Sequence, residues 1–196
     1  FKILKESGCQ VMALEFQGSK KRKNEKLLFN LFDIMIDNKF TKKSIVISFG
    51  GGVLGDVTAL AASLYYRGLI YFHIPTTMTS IIDSCIGGKT AINYKNIINS
   101  IGNYYHPHSV FIFNEVIKLI PDREFNSGIA EIIKCGLIRK NNIFKILKNN
   151  KEKILKRDFK IISKLCFETL KTKIFFFQSD VHEKNKRLIL NFGHTF

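Results

Sequence analysis

The chain has 196 residues, 45% hydrophobic and 24% charged, which is ordinary globular usage and enough to bury one good core or two small ones without disulfides. Cys9, Cys85, Cys135 and Cys166 form no CxxC pair and lie far apart, which argues against a zinc knuckle or disulfide framework and fits a reducing, cytoplasmic setting. The formal net charge of +15 raises nucleic acid as a partner, but the lysines are scattered through helical segments without interleaved stacking aromatics, and no apolar run approaches the roughly 18 residues that span a bilayer; neither a nucleic-acid nor a membrane partner is expected.

In chain order, residues 9–16 read as a strand, and Leu27, Leu28, Leu31, Phe32, Met35 and Ile36 repeat with helical spacing. Residues 44–49 form the next strand, which runs into Gly50-Gly51-Gly52 and Val53-Leu54-Gly55-Asp56 before a helical pattern of small residues resumes over 58–66. Residues 69–74 are another strand, stopped at Pro75 because proline cannot donate to a ladder. The last strand signal covers 110–113, after which the pattern is helical to the end, with Pro121 opening a helix and Asp122 and Glu124 complementing its dipole. This alternation predicts an α/β protein: a Rossmann-like parallel-sheet domain over 1–117, then an α-helical domain over 118–196.

Gly50 to Gly55 match GxGxxG between a strand and a helix, the context in which such a turn cradles a dinucleotide pyrophosphate on free helix amides. Glycines making only a tight strand-to-helix turn are the plainer alternative. The ordinary fingerprint also places an acid near the end of the following strand, and here that stretch reads His73-Ile74-Pro75. Glu131 and Lys134, three apart on a helix, share a face, although such pairs are usually surface pairs. His106 and His108 flank Pro107 and read as an exposed loop.

The glycine turn is followed in order by Tyr66-Arg67-Gly68, Pro75-Thr76-Thr77, Asp83 to Thr90, Asn99 to Gly102, Pro121 to Glu124, Gly128 to Lys134 and Leu190 to Thr195. This series resembles the dehydroquinate synthase family from about residue 9 onward, with the family's first 50 or so residues and last third absent. The resemblance implies a carbon–oxygen lyase that converts 3-deoxy-D-arabino-heptulosonate 7-phosphate to 3-dehydroquinate and phosphate. Transient NAD-dependent oxidation, β-elimination, reduction and intramolecular aldol closure are the implied steps, with one divalent metal, zinc or cobalt, and a homodimer.

By the same resemblance, Gly51, Gly52, Val53, Leu54, Gly55, Asp56, Thr76, Thr77 and Lys89 are the expected NAD contacts. Asp83 lies between cofactor and substrate, Lys89 and Asn99 match phosphate contacts, and Arg67 matches a residue reaching the neighbouring subunit's phosphate. Lys173, Arg187 and Asn191 match the carboxylate site, and Lys134 and Glu183 the metal and hydroxyl side. Glu131 and His194 match two of three metal ligands, the third being a histidine past Phe196.

The pattern departs from the family where residues 17–23, including Ser19 and Lys20, carry no acid, and at Ile98, Phe113 and Leu119, which stand where the family has lysine, aspartate and threonine. The alternatives are a related sugar-phosphate cyclase, an iron-dependent alcohol dehydrogenase sharing the fold, or an inactive remnant.

Overall fold

Asn24 ends an irregular segment by accepting a hydrogen bond from the Leu27 amide at 3.2 Å, which caps the first long helix. A computed structural model describes residues 2–16 and 18–193. A short helix, α1 (Lys2–Glu6), precedes the capped helix α2 (Glu25–Asp37), whose buried Leu28, Leu31 and Met35 recur at helical spacing. The strand expected over 9–16 is not formed. Those residues pair with no strand and are mostly exposed, and a lone extended segment without a ladder partner leaves its backbone groups to solvent.

Strand β1 (Ile45–Gly50) runs into α3 (Gly52–Leu64), which returns to β2 (Ile70–Pro75); the two strands pair in parallel from Ile45↔Ile70 to Gly50↔Pro75. Helix α3 starts at Gly52, six residues before the small-residue pattern resumes, because Gly51 adopts the extended N-cap conformation. From Gly55 to Ser63 nearly every residue of α3 is buried, which Ala59, Ala61 and Ala62 permit by letting neighbours close in.

A glycine-rich turn leads into an antiparallel hairpin that the sequence reading did not anticipate, β3 (Lys89–Tyr94) and β4 (Ile97–Tyr104). Its two-residue loop places Lys95 and Asn96 at φ 45° and 67°, the paired left-handed geometry of a type I′ turn. The hairpin packs on α3. The strand expected over 110–113 shortens to β5 (Ser109–Val110), paired in parallel with β2, so the sheet order is β1-β2-β5. The Phe111 amide still donates to the His73 carbonyl at 2.9 Å, but the ladder ends there, since Phe113 already takes the N-cap position of the next helix.

The remainder is helical as expected: α4 (Asn114–Leu119), α5 (Asp122–Ile138), α6 (Ile143–Asn149), α7 (Lys151–Leu155) and α8 (Phe159–Gln178). Pro121 caps α5, with Asp122 and Glu124 in its first turn. Asp158 caps α8 by accepting from the Ile161 amide at 3.1 Å. Two hydrophobic clusters result. One joins α2, α3, Tyr71 and Ile92, and the other joins the helices to Met78, Ile81 and Ile82. Those last three precede the hairpin in sequence yet pack in the helical core, so the turn that carries Asp83 is clamped between the two parts. No helix among the described residues is long and apolar enough to cross a membrane.

Candidate active site

The glycine turn is shaped by contact. A Cβ on Gly51 would lie 2.9 Å from the Thr77 methyl, one on Gly52 3.1 Å from the Ser84 hydroxyl, and one on Gly55 2.7 Å from the His73 ring. The Thr76 amide donates to the Gly50 carbonyl at 3.0 Å, and the Ser80 amide donates to the Thr77 hydroxyl at 3.2 Å. Gly51, Gly52 and Thr77 therefore converge at the N-terminus of α3, with Val53 and Leu54 in its first turn. No side chain caps that terminus. The Ser84 hydroxyl beside it is buried and has no hydrogen-bond partner among the described residues.

His73 faces inward. It is 3% exposed, its Nδ1 is bonded to Ser48 and Tyr71, and its Nε2 lies 3.2 Å from the Ser80 hydroxyl. Burial lowers its pKa to about 4, so the ring is neutral. It serves as a packing element under Gly55 and cannot take the place of a ribose-binding acid.

Beside the turn, a cleft of about 480 Å³ is lined by Asp56, Asp83, Lys89, Asn99, Lys173, Glu183, Arg187 and Asn191, which the sequence had dispersed over more than a hundred positions. Its lysines are matched by acids. Lys89 is paired with Glu183, Lys173 donates to Asp83 at 2.6 Å, and Asn191 donates to Glu183 at 2.9 Å. Burial, then Arg187 and Lys173, lower the Lys89 pKa. Burial raises that of Asp56, against the pull of Lys23.

Lys23 is the residue that sequence reading missed. It lies in a stretch noted only for lacking an acid, yet it is 8% exposed and reaches both Asp56 and Asn99 at 2.5 Å. Its backbone is fixed by the Asn93 amide, which donates to the Lys23 carbonyl at 2.8 Å. No local motif marks such a lysine, because both partners are distant in sequence. Asn99 adopts φ 53°, a conformation that asparagine tolerates better than most residues.

Arg187 is 2% exposed and makes no ion pair among the described residues. Its guanidinium donates to the carbonyls of Val181 at 2.6 Å and Gly87 at 3.1 Å, and lies between the Phe177 and Tyr104 rings, 5.1 and 5.8 Å from their centroids. Gly87 is required there, since a Cβ would meet the guanidinium at 2.5 Å.

Not every expected residue joins the cleft. Arg67 is exposed at φ 65° in the turn after α3 and does not line it. Glu131 and Lys134 are paired on α5, half-buried, and do not line it either. Burial raises the pKa of the neighbouring Cys135 thiol to about 11, against the pull of Lys134. His194 lies outside the described residues, and no group of three candidate ligands able to hold a metal forms among them. His106 is exposed in a loop as expected, with its ring 5.2 Å from that of Phe177.

Comparison with known proteins gives a consistent picture. Residues 13–127 match the family model described as 3-dehydroquinate synthase N-terminal, and residues 128–196 the model described as 3-dehydroquinate synthase C-terminal. A 3-dehydroquinate synthase of Prochlorococcus marinus is 38% identical over 98% of this chain and 54% of its own length. Among solved structures, the 2-epi-5-epi-valiolone synthase ValA of Streptomyces hygroscopicus, with NAD+ and Zn2+ bound, superposes with a TM-score of 0.85 at 28% identity over 92% of this chain and 51% of its own. A 2-deoxy-scyllo-inosose synthase complexed with carbaglucose-6-phosphate, NAD+ and Co2+ superposes with a TM-score of 0.82 at 28% identity over 92% of this chain and 49% of its own. The chain spans about half the length of the curated relatives it matches.

Proposed function

Because the chain belongs to the 3-dehydroquinate synthase family, we propose that it carries the cofactor cradle and most of the anion-binding wall of an enzyme that converts 3-deoxy-D-arabino-heptulosonate 7-phosphate to 3-dehydroquinate and phosphate. The observation that carries this reading is the cleft beside the α3 N-terminus, where Lys89, Asn99, Lys173, Arg187 and Asn191 converge from four separate segments. A substrate with a phosphate at one end and a carboxylate at the other fits such a wall. Among the described residues no carboxylate forms an ion pair with the buried Arg187, and its planar fork suits one supplied by a ligand.

NAD and a divalent metal, named with the two solved relatives, belong to the same proposal. The residues present fit the dinucleotide: an uncapped helix N-terminus, glycines where a side chain would collide, and the unpartnered Ser84 hydroxyl. For the metal, Glu131 is the described ligand and His194 would be the second. When bound, NAD supplies reversible hydride acceptance and the metal polarises the substrate hydroxyls.

The protein's own part is placement and charge. Lys89 and Asn99 hold the phosphate, and Arg187, Lys173 and Asn191 hold the carboxylate. Asp83 and Glu183 serve the hydroxyl side, where the family resemblance also assigns Lys134 although it does not line the cleft; Glu183 can hand Lys89 over to the phosphate and become free to accept a proton. The homodimer, with Arg67 reaching across it, the cytoplasmic setting and the boundary near residue 117 complete the proposal. Phosphate release from the heptulosonate by the full-length protein tests it. Release that requires NAD and stops with a chelator is expected, and turnover of a sugar phosphate lacking the carboxylate in its place would favour a different cyclase.

A further inference from the structure

We propose that Asp180 is a positioning residue that sets the loop carrying Glu183 and Arg187, an assignment that rests on the functional reading of those two side chains. Helix α8 ends at Gln178, and the Asp180 amide donates back to the Phe177 carbonyl at 3.1 Å. The Asp180 carboxylate then accepts three backbone amides: Lys184 at 2.9 Å on one oxygen, and Asn185 at 2.6 Å and Arg187 at 3.1 Å on the other. Its carbonyl accepts a fourth, from Glu183 at 3.3 Å. One residue thereby folds the next seven around itself.

From Val181 to Leu190 only Arg187 is buried, so little apolar burial fixes the path of the chain. Outside Asp180 the loop backbone is held at His182, whose carbonyl accepts from the Tyr104 hydroxyl at 3.2 Å and whose ring meets that of Tyr104 edge to face at 5.1 Å, and at Val181, whose carbonyl accepts from Arg187. Glu183 sits at φ 55°, in the left-handed region that costs a β-carbon-bearing residue about 1 kcal/mol or more. That conformation aims the Glu183 carboxylate at Lys89 and Asn191. The Arg187 amide, held by Asp180, fixes where its side chain starts, and the carbonyls of Val181 and Gly87 fix where it ends. The three amide donors, with Arg187 nearby, also hold the Asp180 carboxyl below its ordinary pKa, so it stays ionised and keeps both oxygens as acceptors.

The hydrogen bonds of Asp180 go to the end of α8 and to its own loop, and the glycine turn is held by contacts of its own to Thr77, Ser84 and His73, so the consequence is selective. In the full-length protein loaded with NAD and zinc, Asp180→Ala should raise the substrate KM at least tenfold, lower kcat less, and leave the NAD dissociation constant within twofold. Asp180→Asn keeps one acceptor oxygen and should fall between the two. Hydrogen exchange at the Lys184, Asn185 and Arg187 amides should accelerate in the alanine variant. An unchanged KM with unchanged exchange overturns the proposal, as does a loss of NAD affinity that matches the loss of substrate affinity. If the unaltered protein releases no phosphate, the functional reading falls separately. The exchange measurement then decides alone, and protection surviving in Asp180→Ala refutes the role of the carboxylate.

Discussion

Replacing Gly55 with alanine tests how the glycine turn is built, because two effects of opposite sign meet there. Gly55 lies in the interior of α3, where alanine is intrinsically favoured by about 1 kcal/mol. The new methyl, however, would lie 2.7 Å from His73 Cε1 and 3.3 Å from Nε2, against ordinary carbon contacts of about 3.5–4.0 Å. The ring cannot swing away, since it is buried and bonded to Ser48, Tyr71 and Ser80 on both of its nitrogens. Overpacking of this kind costs about 1–3 kcal/mol, and against a ring that cannot move the upper half of that range applies, about 2–3 kcal/mol, so the steric effect wins by roughly 1–2 kcal/mol. At about 2–4 °C per kcal/mol for a domain of this size, Tm should fall by roughly 2–8 °C in a calorimetric melt. In a His73→Ala background the space is open, and the same Gly55→Ala change should raise Tm instead. A rise in Tm in the unaltered background would show that the ring does not block the position.

His73 itself should produce a pH dependence. Its pKa is lowered from 6.5 to about 4, so the unfolded chain binds a proton that the folded chain refuses between those values. Stability is therefore full above about pH 6.5 and is lost as pH falls towards 4, by roughly 3 kcal/mol in all. Urea midpoints across that window should show the loss, and His73→Gln should flatten it; superimposable pH profiles would exclude His73 as the source. At Lys89, burial and the charges of Arg187 and Lys173 lower the pKa, so its ammonium is lost at a lower pH than an ordinary lysine's. Substrate KM should accordingly rise on the alkaline side, and Lys89→Arg should remove that rise. Lys89→Ala should cut kcat/KM by roughly 100-fold with an unchanged melting curve, and full activity in this variant would contradict the assigned role.

What was legible in the sequence depended on how local its cause is. Helix α2 announced itself through the spacing of Leu28, Leu31 and Met35, and α5 through Pro121 with two acids behind it, because these signals lie within one or two turns. The segment at 9–16 carried strand residues and formed no strand, since a strand exists only with a partner, and partners are not written into its own residues. The hairpin had a local signal that was passed over: Lys95-Asn96 between Ile92, Tyr94, Ile97 and Ile101 is a two-residue turn flanked by apolar residues, with asparagine at a left-handed position. Lys23 and Asp180 carried none. Each is an ordinary charged residue whose role depends on what the fold brings to it, Asp56 and Asn99 in one case and three backbone amides in the other.

The distribution of charge explains why a chain of formal net charge +15 does not gather that excess in its cleft. Lys23, Lys89 and Lys173 are matched by Asp56, Glu183 and Asp83, and Lys134 nearby is matched by Glu131. An unpaired ammonium as buried as that of Lys23, Lys134 or Lys173 would lose hydration without compensation, so the partner acids keep these three charged, whereas the half-exposed Lys89 keeps part of its hydration. The exchange is asymmetric. A phosphate or carboxylate entering the cleft must displace an acid from Lys89 or Lys173, which offsets much of its Coulomb gain, whereas at Arg187 it displaces no carboxylate. Affinity should thus be dominated by the carboxylate end of the substrate.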